Sequence, residues 1–516
     1  MIAQPRRPRF AAASQLARRR LGVDVPGALN LVGFLVKYVS LAFLFPAAVA
    51  LGYGEDPWPF LAGGAATGGF GFALERATRG KERVGAREGF LVLALTWLLI
   101  PLLGAVPYLL SGEEQLSRPM DALFESMSGF STTGASVLTD IEGLSHSFAL
   151  WRQFTIWVGG MGIIVLGLAV LPRLRVGGRQ LFEAEMPGPD VETLTVRIRE
   201  AARRFLLLYV GITAAGVAVL TAIGWSGLDK RMGPYEAVAH SFSAVATGGF
   251  STKARSLEAF GAATQWAVIV LILVAGTNFA LLYRSLVQRR PAHAARDEEF
   301  RLYVGLLGLA SLLLLFELVA QEIATGEAAV RHAVFQAVAT MTTTGFASAD
   351  YTQWTALTSI TLFGLMFIGA SAGSTSGSVK VVRHLLVGRI LGRELDQTVH
   401  PELIAPVRLN RQPVDERALR GVVVFVLLYL GIAALGALVL LVDSAPTGLQ
   451  LRPFEAIAAS AATLGNVGPA FGFAGPMGSF EPFSDVSKAV MIALMWLGRL
   501  ELIPVVVLLT RNYWRA

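Results

Sequence analysis

Four stretches of this chain end in a small tripeptide closed by glycine: Thr132-Thr133-Gly134, Thr247-Gly248-Gly249, Thr343-Thr344-Gly345 and Asn466-Val467-Gly468. These residues offer backbone carbonyls and small hydroxyls, and no group for proton transfer. The chemistry they suit is oxygen coordination of a cation, with carbonyls standing in for its hydration shell. Glycine accepts backbone angles that other residues resist. One Thr-Thr-Gly alone is an ordinary turn. Four in register are the signal.

The four stretches align without gaps. Each has alanine twelve positions before the glycine: Ala122, Ala237, Ala333 and Ala456. Asp121, Glu236 or Glu455 precedes that alanine in three of them, and His332 in the other. The residues between are small or apolar, as suits a short helix buried among others. An acid in the first turn complements the helix dipole, and the partly negative C-terminal end favours a cation. Non-helical backbone is tolerated at membrane depth only when protein buries it or it lines an aqueous path. The expectation is four short helices dipping in from outside, each followed by an extended loop, the four closing one ring.

Composition supplies the setting. Hydrophobic residues make up 54% and charged residues 16% of 516 residues, against about 25% charge in soluble proteins. Mean hydropathy is +0.56. Ten apolar segments reach the ~20 residues a bilayer crossing requires: 31–52, 57–76, 90–111, 148–172, 203–224, 264–288, 299–320, 354–385, 419–442 and 484–510. Basic residues cluster in alternate loops: Arg76 to Arg87, Arg173 to Arg204, Arg284 to Arg296, and Arg389 to Arg420. The other loops are acidic or mixed. This alternation predicts an even number of spans with both termini inside. The net charge of +7 therefore reads as inner loops, and the basic arm Arg6 to Arg20 as lying on anionic lipid, not on nucleic acid. That arm precedes an apolar run without a clear cleavage site and is read as retained. With no cysteine, disulfides, thiolate metal sites and thiol nucleophiles are excluded.

The fold class expected is an all-α integral membrane protein with four pseudo-symmetric helix–pore-loop–helix repeats around one pore, plus two N-terminal spans. The divisions are 1–85, 86–180, 195–290, 298–395 and 415–516. Phe124-Glu-Ser-Met-Ser-Gly-Phe-Ser-Thr-Thr-Gly-Ala135, Trp157-Val-Gly-Gly-Met-Gly-Ile-Ile164 and Gly249-Phe-Ser-Thr252 resemble the Trk/Ktr/HKT superfamily of potassium transporters. The likeness runs over nearly the whole chain, and the two leading spans make it more similar to the TrkH-like than to the Ktr branch. The resemblance implies K⁺ as the transported ion, no organic cofactor, and K⁺ held at the twelve tripeptide residues. It implies a homodimer in a bacterial inner membrane, with a cytosolic TrkA-like nucleotide-binding regulator. In the plant branch a serine at the first glycine position goes with Na⁺, so Gly134 favours K⁺. A sodium-permeable pore or a cation-coupled symporter of the same family is the alternative. The fourth loop departs most, with Asn466-Val467 and the following Pro469.

The eighth span is interrupted by Gly369-Ala370-Ser371-Ala372-Gly373-Ser374-Thr375-Ser376-Gly377 and Ser378. Small residues mid-span predict unwinding, although small-xxx-small patterns also pack helices. The resemblance implies an intramembrane gate there. Arg499 in the last span is an intramembrane charge and so a functional candidate; the resemblance implies that it faces the pore. Glu501 two residues on is on a different helix face, which points to a partner elsewhere. His240 and His332 read as packed structural residues. No metalloprotease, Walker, dinucleotide or nucleophile-elbow motif emerges, so no enzyme is expected. An organic-solute carrier should show inverted repeats, whereas these are parallel and fourfold.

Overall fold

The computed structural model describes residues 23–79, 85–170, 191–403 and 405–515. The basic arm, Lys81, Arg83 and Arg173 to Arg179 lie outside the described residues. Apart from one two-residue hairpin, Arg408–Leu409 with Gln412–Pro413, the regular structure described is helical.

Among the described residues, each of the ten expected apolar segments contains helix. The N-terminal part is α1 (Val25–Val39), α2 (Leu44–Tyr53) and α3 (Trp58–Ala77). Repeat one holds α4 (Ala86–Gly104), α5 (Pro119–Phe130) and α6 (His146–Val170). Repeat two holds α7 (Val191–Trp225), α8 (Pro234–Val245) and α9 (Ala262–Ala275). Repeat three holds α10 (Glu298–Ala320), α11 (Gly326–Met341), α12 (Ala356–Ile368) and α13 (Val381–Val399). Repeat four holds α14 (Glu416–Thr447), α15 (Pro453–Leu464), α16 (Asp485–Arg499) and α17 (Ile503–Leu508). Among the described residues, five unbroken helical stretches are long and apolar enough to cross a membrane: Val25–Tyr53, Arg87–Leu109, Glu200–Trp225, Glu298–Ala320 and Glu416–Thr447.

The short helices α5, α8, α11 and α15 begin with proline or glycine and an acid in the first turn. Proline is pre-shaped for that position and lacks the amide that would go unpaired there. Each short helix packs against its repeat's flanking helices and against the second helix of the preceding repeat. Thus α6 touches α8, α9 touches α11, α12 touches α15, and α16 touches α5. The last contact closes the ring. Lys488 of α16 seals it by reaching Asp121 of α5 at 2.5 Å, with both side chains buried.

Two segments expected as continuous spans are broken. The segment 264–288 bends by 105° between Ala262–Ala275 and Phe279–Val287. Asn278 accounts for the bend: its side-chain oxygen accepts from the Ala280 and Leu281 amides and starts a new helix. The segment 484–510 breaks after Arg499, where Glu501 and Leu502 take φ of 55° and 57°. The third break, between α12 and α13, covers the expected small-residue stretch.

Outside the spans, Asp229 holds the turn from α7 to α8. Burial raises its carboxyl, but bonds from the Gly261 amide, Thr264 and Arg231 outweigh that and hold it below the ordinary aspartate range. A depressed carboxyl stabilises the fold above its unfolded value, near 4, and that contribution vanishes as pH falls through the folded value. Asp229→Asn should lower the melting temperature at neutral pH and lose less than wild type between pH 5 and 3; an equal acid loss would contradict the assignment.

Candidate ion pathway

All four tripeptides adopt one backbone conformation. Thr132, Thr247, Thr343 and Asn466 have φ of 56°, 52°, 56° and 52°, and Gly134, Gly249, Gly345 and Gly468 have φ of 80°, 74°, 76° and 102°. Each short helix ends in the same left-handed cap. The amides of Thr133, Gly248, Thr344 and Val467 donate to Ser128, Ser243, Ala339 and Ala462 at 2.8–2.9 Å. Non-glycine residues in this region cost on the order of 1 kcal/mol or more each. The departures in the fourth loop leave that geometry intact. Asn466 uses its amide to bind Thr133 Oγ1 and the Met495 carbonyl, both at 3.0 Å.

The glycines meet in a cycle. A Cβ on Gly134 would lie 2.0 Å from the Gly248 carbonyl oxygen, and one on Gly249 would lie 2.0 Å from that of Thr344. A Cβ on Gly345 would lie 2.1 Å from the Val467 oxygen, and one on Gly468 2.5 Å from the Thr133 oxygen. Those carbonyls occupy the same place in all four loops. Every residue of the four tripeptides is thus brought to one ring, with the C-terminal ends of the four short helices converging on it.

The ring rests on buried ion pairs absent from the sequence-based expectations. Arg152 of α6 and Glu125 of α5 are 1% and 0% exposed and meet at 2.7 Å. Glu125 also accepts from Ser136 and the Val137 amide. Arg152 donates to Ser136 and the Ser251 carbonyl, and its guanidinium lies over the Phe250 ring at 4.2 Å. One pair therefore pins the first two loops together. The signal in the sequence was available: an arginine inside an apolar span. His240 bonds the Glu236 carbonyl and Ser251 within repeat two, and His332 bonds Ser348, as structural histidines do.

The match with known proteins decides the family. The family model described as "TrkH: Cation transport protein" matches residues 60–515.

The chain belongs to the TrkH family of cation transport proteins.

It is 36% identical over 499 residues to the Trk system potassium uptake protein TrkH of Escherichia coli K12, covering 94% of this chain and 98% of that one. It is 34% identical to the protein of the same name from Halomonas elongata, covering 94% and 98%. The crystal structure of the potassium transporter TrkH from Vibrio parahaemolyticus superposes with a TM-score of 0.84 at 32% identity, covering 95% of this chain and 99% of that one. This is a family of membrane transporters, not of enzymes.

In this TrkH-family fold the interrupted stretch of repeat three lies directly beside the ring. Gly369 and Gly373 take φ of 73° and 70°. The Ser371 amide donates to Gly276, and the Phe279 amide donates to Gly373, both at 3.1 Å. The Ala372 amide donates to Glu299 at 2.6 Å, and Ser374 bonds Ser376 at 2.9 Å. Buried Ala370 accepts from the Val381 amide. Thr375 reaches Thr247 and the Val245 carbonyl, each at 3.2 Å. The Gly377 amide donates to Thr343 Oγ1 at 2.8 Å, and a Cβ on Gly377 would lie 2.2 Å from the Gly465 oxygen. Arg499 donates to the Thr375 carbonyl at 2.9 Å and to Gly159 of α6 at 3.1 Å. The segment thus touches repeats two, three and four directly and repeat one through Arg499. Glu501 pairs instead with Arg383 of α13.

Breaking a buried pair on one side leaves an uncompensated charge and costs about 3–5 kcal/mol, whereas replacing both sides by apolar groups is often near neutral. Arg152→Met should therefore lower the melting temperature steeply, and Glu125→Leu/Arg152→Met should recover most of the loss. A double variant at least as unstable as the single would show that the pair is not the unit.

Proposed function

We propose that this protein takes up K⁺ across a bacterial inner membrane through the ring of four glycine-centred loops. The cyclic contact of four equivalent carbonyls with four glycines is the observation that carries the reading. Such a ring can replace the hydration shell of one dehydrated cation. The converging helix ends add partly negative charge at the same place. The twelve tripeptide residues are the proposed filter, and Gly134 in the first loop favours K⁺ over Na⁺. The TrkH relatives named as potassium uptake proteins support the choice of ion.

Residues 369–377 with Arg499 are the proposed gate. The segment fills the space against three loops, and the Arg499 cation beneath the ring repels an ion that would leave it. Two hydrogen bonds from a charged donor, worth about 1.5–3 kcal/mol each, hold it closed. The remaining assignments belong to the same reading: both termini inside, a homodimer with one pore per protomer, and a cytosolic TrkA-like nucleotide-binding regulator.

Purified protein in liposomes should take up Rb⁺ or K⁺ well ahead of Na⁺. Equal Na⁺ flux, or flux only of an organic solute, would overturn the ion assignment. Separately, Arg499→Ala should raise K⁺ flux without a regulator by about tenfold or more, since losing even one such bond shifts a closed–open equilibrium that far. Unchanged flux and unchanged regulation would remove Arg499 from the gate.

A further inference from the structure

The loops that follow the four tripeptides enclose a cavity of about 50 Å³. Gly134, Gly249 and Gly345 line it, as does Pro469, which follows Gly468. None of the proposed gate residues does. An ion bound for the ring from the uptake side has to cross this space. Two charged side chains line the cavity, Arg152 and Lys253, and both are basic. Arg152 is neutralised by Glu125 at 2.7 Å. Lys253 is not matched in that way. Its Nζ stands 3.9 Å from Glu236 Oε1, beyond hydrogen-bond reach, and its side chain is 35% exposed.

The backbone that carries Lys253 is fixed. Its amide donates to Ser251 Oγ at 3.1 Å, and that oxygen bonds His240 Nε2 at 2.9 Å. The carboxylates nearby are engaged elsewhere. Glu236 accepts from the Thr252 hydroxyl and stands 3.6 Å from His240 Nδ1. Glu142 accepts from the Ala254 amide at 3.2 Å, and Glu258 pairs with Arg255. None of the three lines the cavity. The entry to a cation path thus carries an ammonium without a close counter-ion and no carboxylate.

This charge has a use. The partly negative helix ends at the ring attract any cation, and a divalent one twice as strongly as K⁺. A divalent ion held there would obstruct the path. A fixed positive charge at the entry lowers the local concentration of a monovalent ion by some factor, and that of a divalent ion by the square of it.

We propose that Lys253 is a specificity-determining residue of the outer mouth, whose ammonium keeps divalent cations off the ring at a small cost in K⁺ entry. The assignment rests on the uptake reading above and deepens it.

The test uses right-side-out membrane vesicles from cells making the full chain, which present only the outer mouth to added ions. Rb⁺ uptake is measured against Rb⁺ concentration, and against external Ca²⁺ at Rb⁺ far below its KM. Lys253→Met should lower the KM for Rb⁺ by about threefold with the maximal rate kept, and lower the Ca²⁺ concentration for half-inhibition by about tenfold. Lys253→Arg should match wild type in both. In roughly 0.5 M choline chloride the differences should largely vanish, because salt screens an exposed charge. Unchanged values in Lys253→Met would overturn the proposal. So would equal shifts for the two ions, an arginine variant that behaves like the methionine one, or shifts that survive the salt, each of which would mark a change of shape and not of charge. Vesicles whose wild-type chain takes up no Rb⁺ would sink the uptake reading and this assignment together, whereas uptake with shifts blind to valence would sink this assignment alone.

Discussion

A carbonyl oxygen of each repeat stands where a side chain of the preceding repeat would have to be, four times around one ring. Only glycine at 134, 249, 345 and 468 relieves that clash, and only a left-handed turn at 132, 247, 343 and 466 delivers the carbonyls to their places. Three threonines and an asparagine accept that unfavourable backbone because the short helix ahead of each is buried and capped in one way. The conformation is over-determined by its surroundings, the usual condition under which strain persists.

The surroundings are themselves charged. Glu125 with Arg152 and Asp121 with Lys488 are buried pairs at the edges of the first short helix. A buried ion pair is weak evidence for stability but can fix one arrangement against others. Here Arg152 carries the first pair across to the Ser251 carbonyl of loop two, and the second pair joins repeat four to repeat one. They set which neighbours meet, while apolar packing supplies the cohesion. The ring and the proposed gate share this logic: several freed polar groups of the backbone find a partner in another repeat, as Ser371 does at Gly276 and Phe279 at Gly373.

The sequence made the ring's contributors legible because the signal is local and repeated. Four alanine-to-glycine spacings survive without a gap. The small-residue run 369–378 also announced a break, since it offers little side-chain packing to hold a helix. Other features were hidden for physical reasons. The 105° bend at 276–278 depends on one asparagine capping a new helix, and in a run of apolar residues a single Asn carries little weight. The partners of Arg499 are carbonyls of Thr375 and Gly159, and backbone acceptors leave no trace in residue type. The Glu125–Arg152 pair could have been suspected from an arginine in an apolar span, but its mate lies 27 positions away on a different helix.

The bend in repeat two and the unwound stretch of repeat three complete one another. Gly276 takes the Ser371 amide, and Gly373 takes that of Phe279. Withdrawing the stretch would orphan polar atoms on both sides at once. Hydrocarbon cannot satisfy them, so water has to arrive as the stretch departs. Under the proposed gating, wetting of the pathway and displacement of the stretch are then a single event.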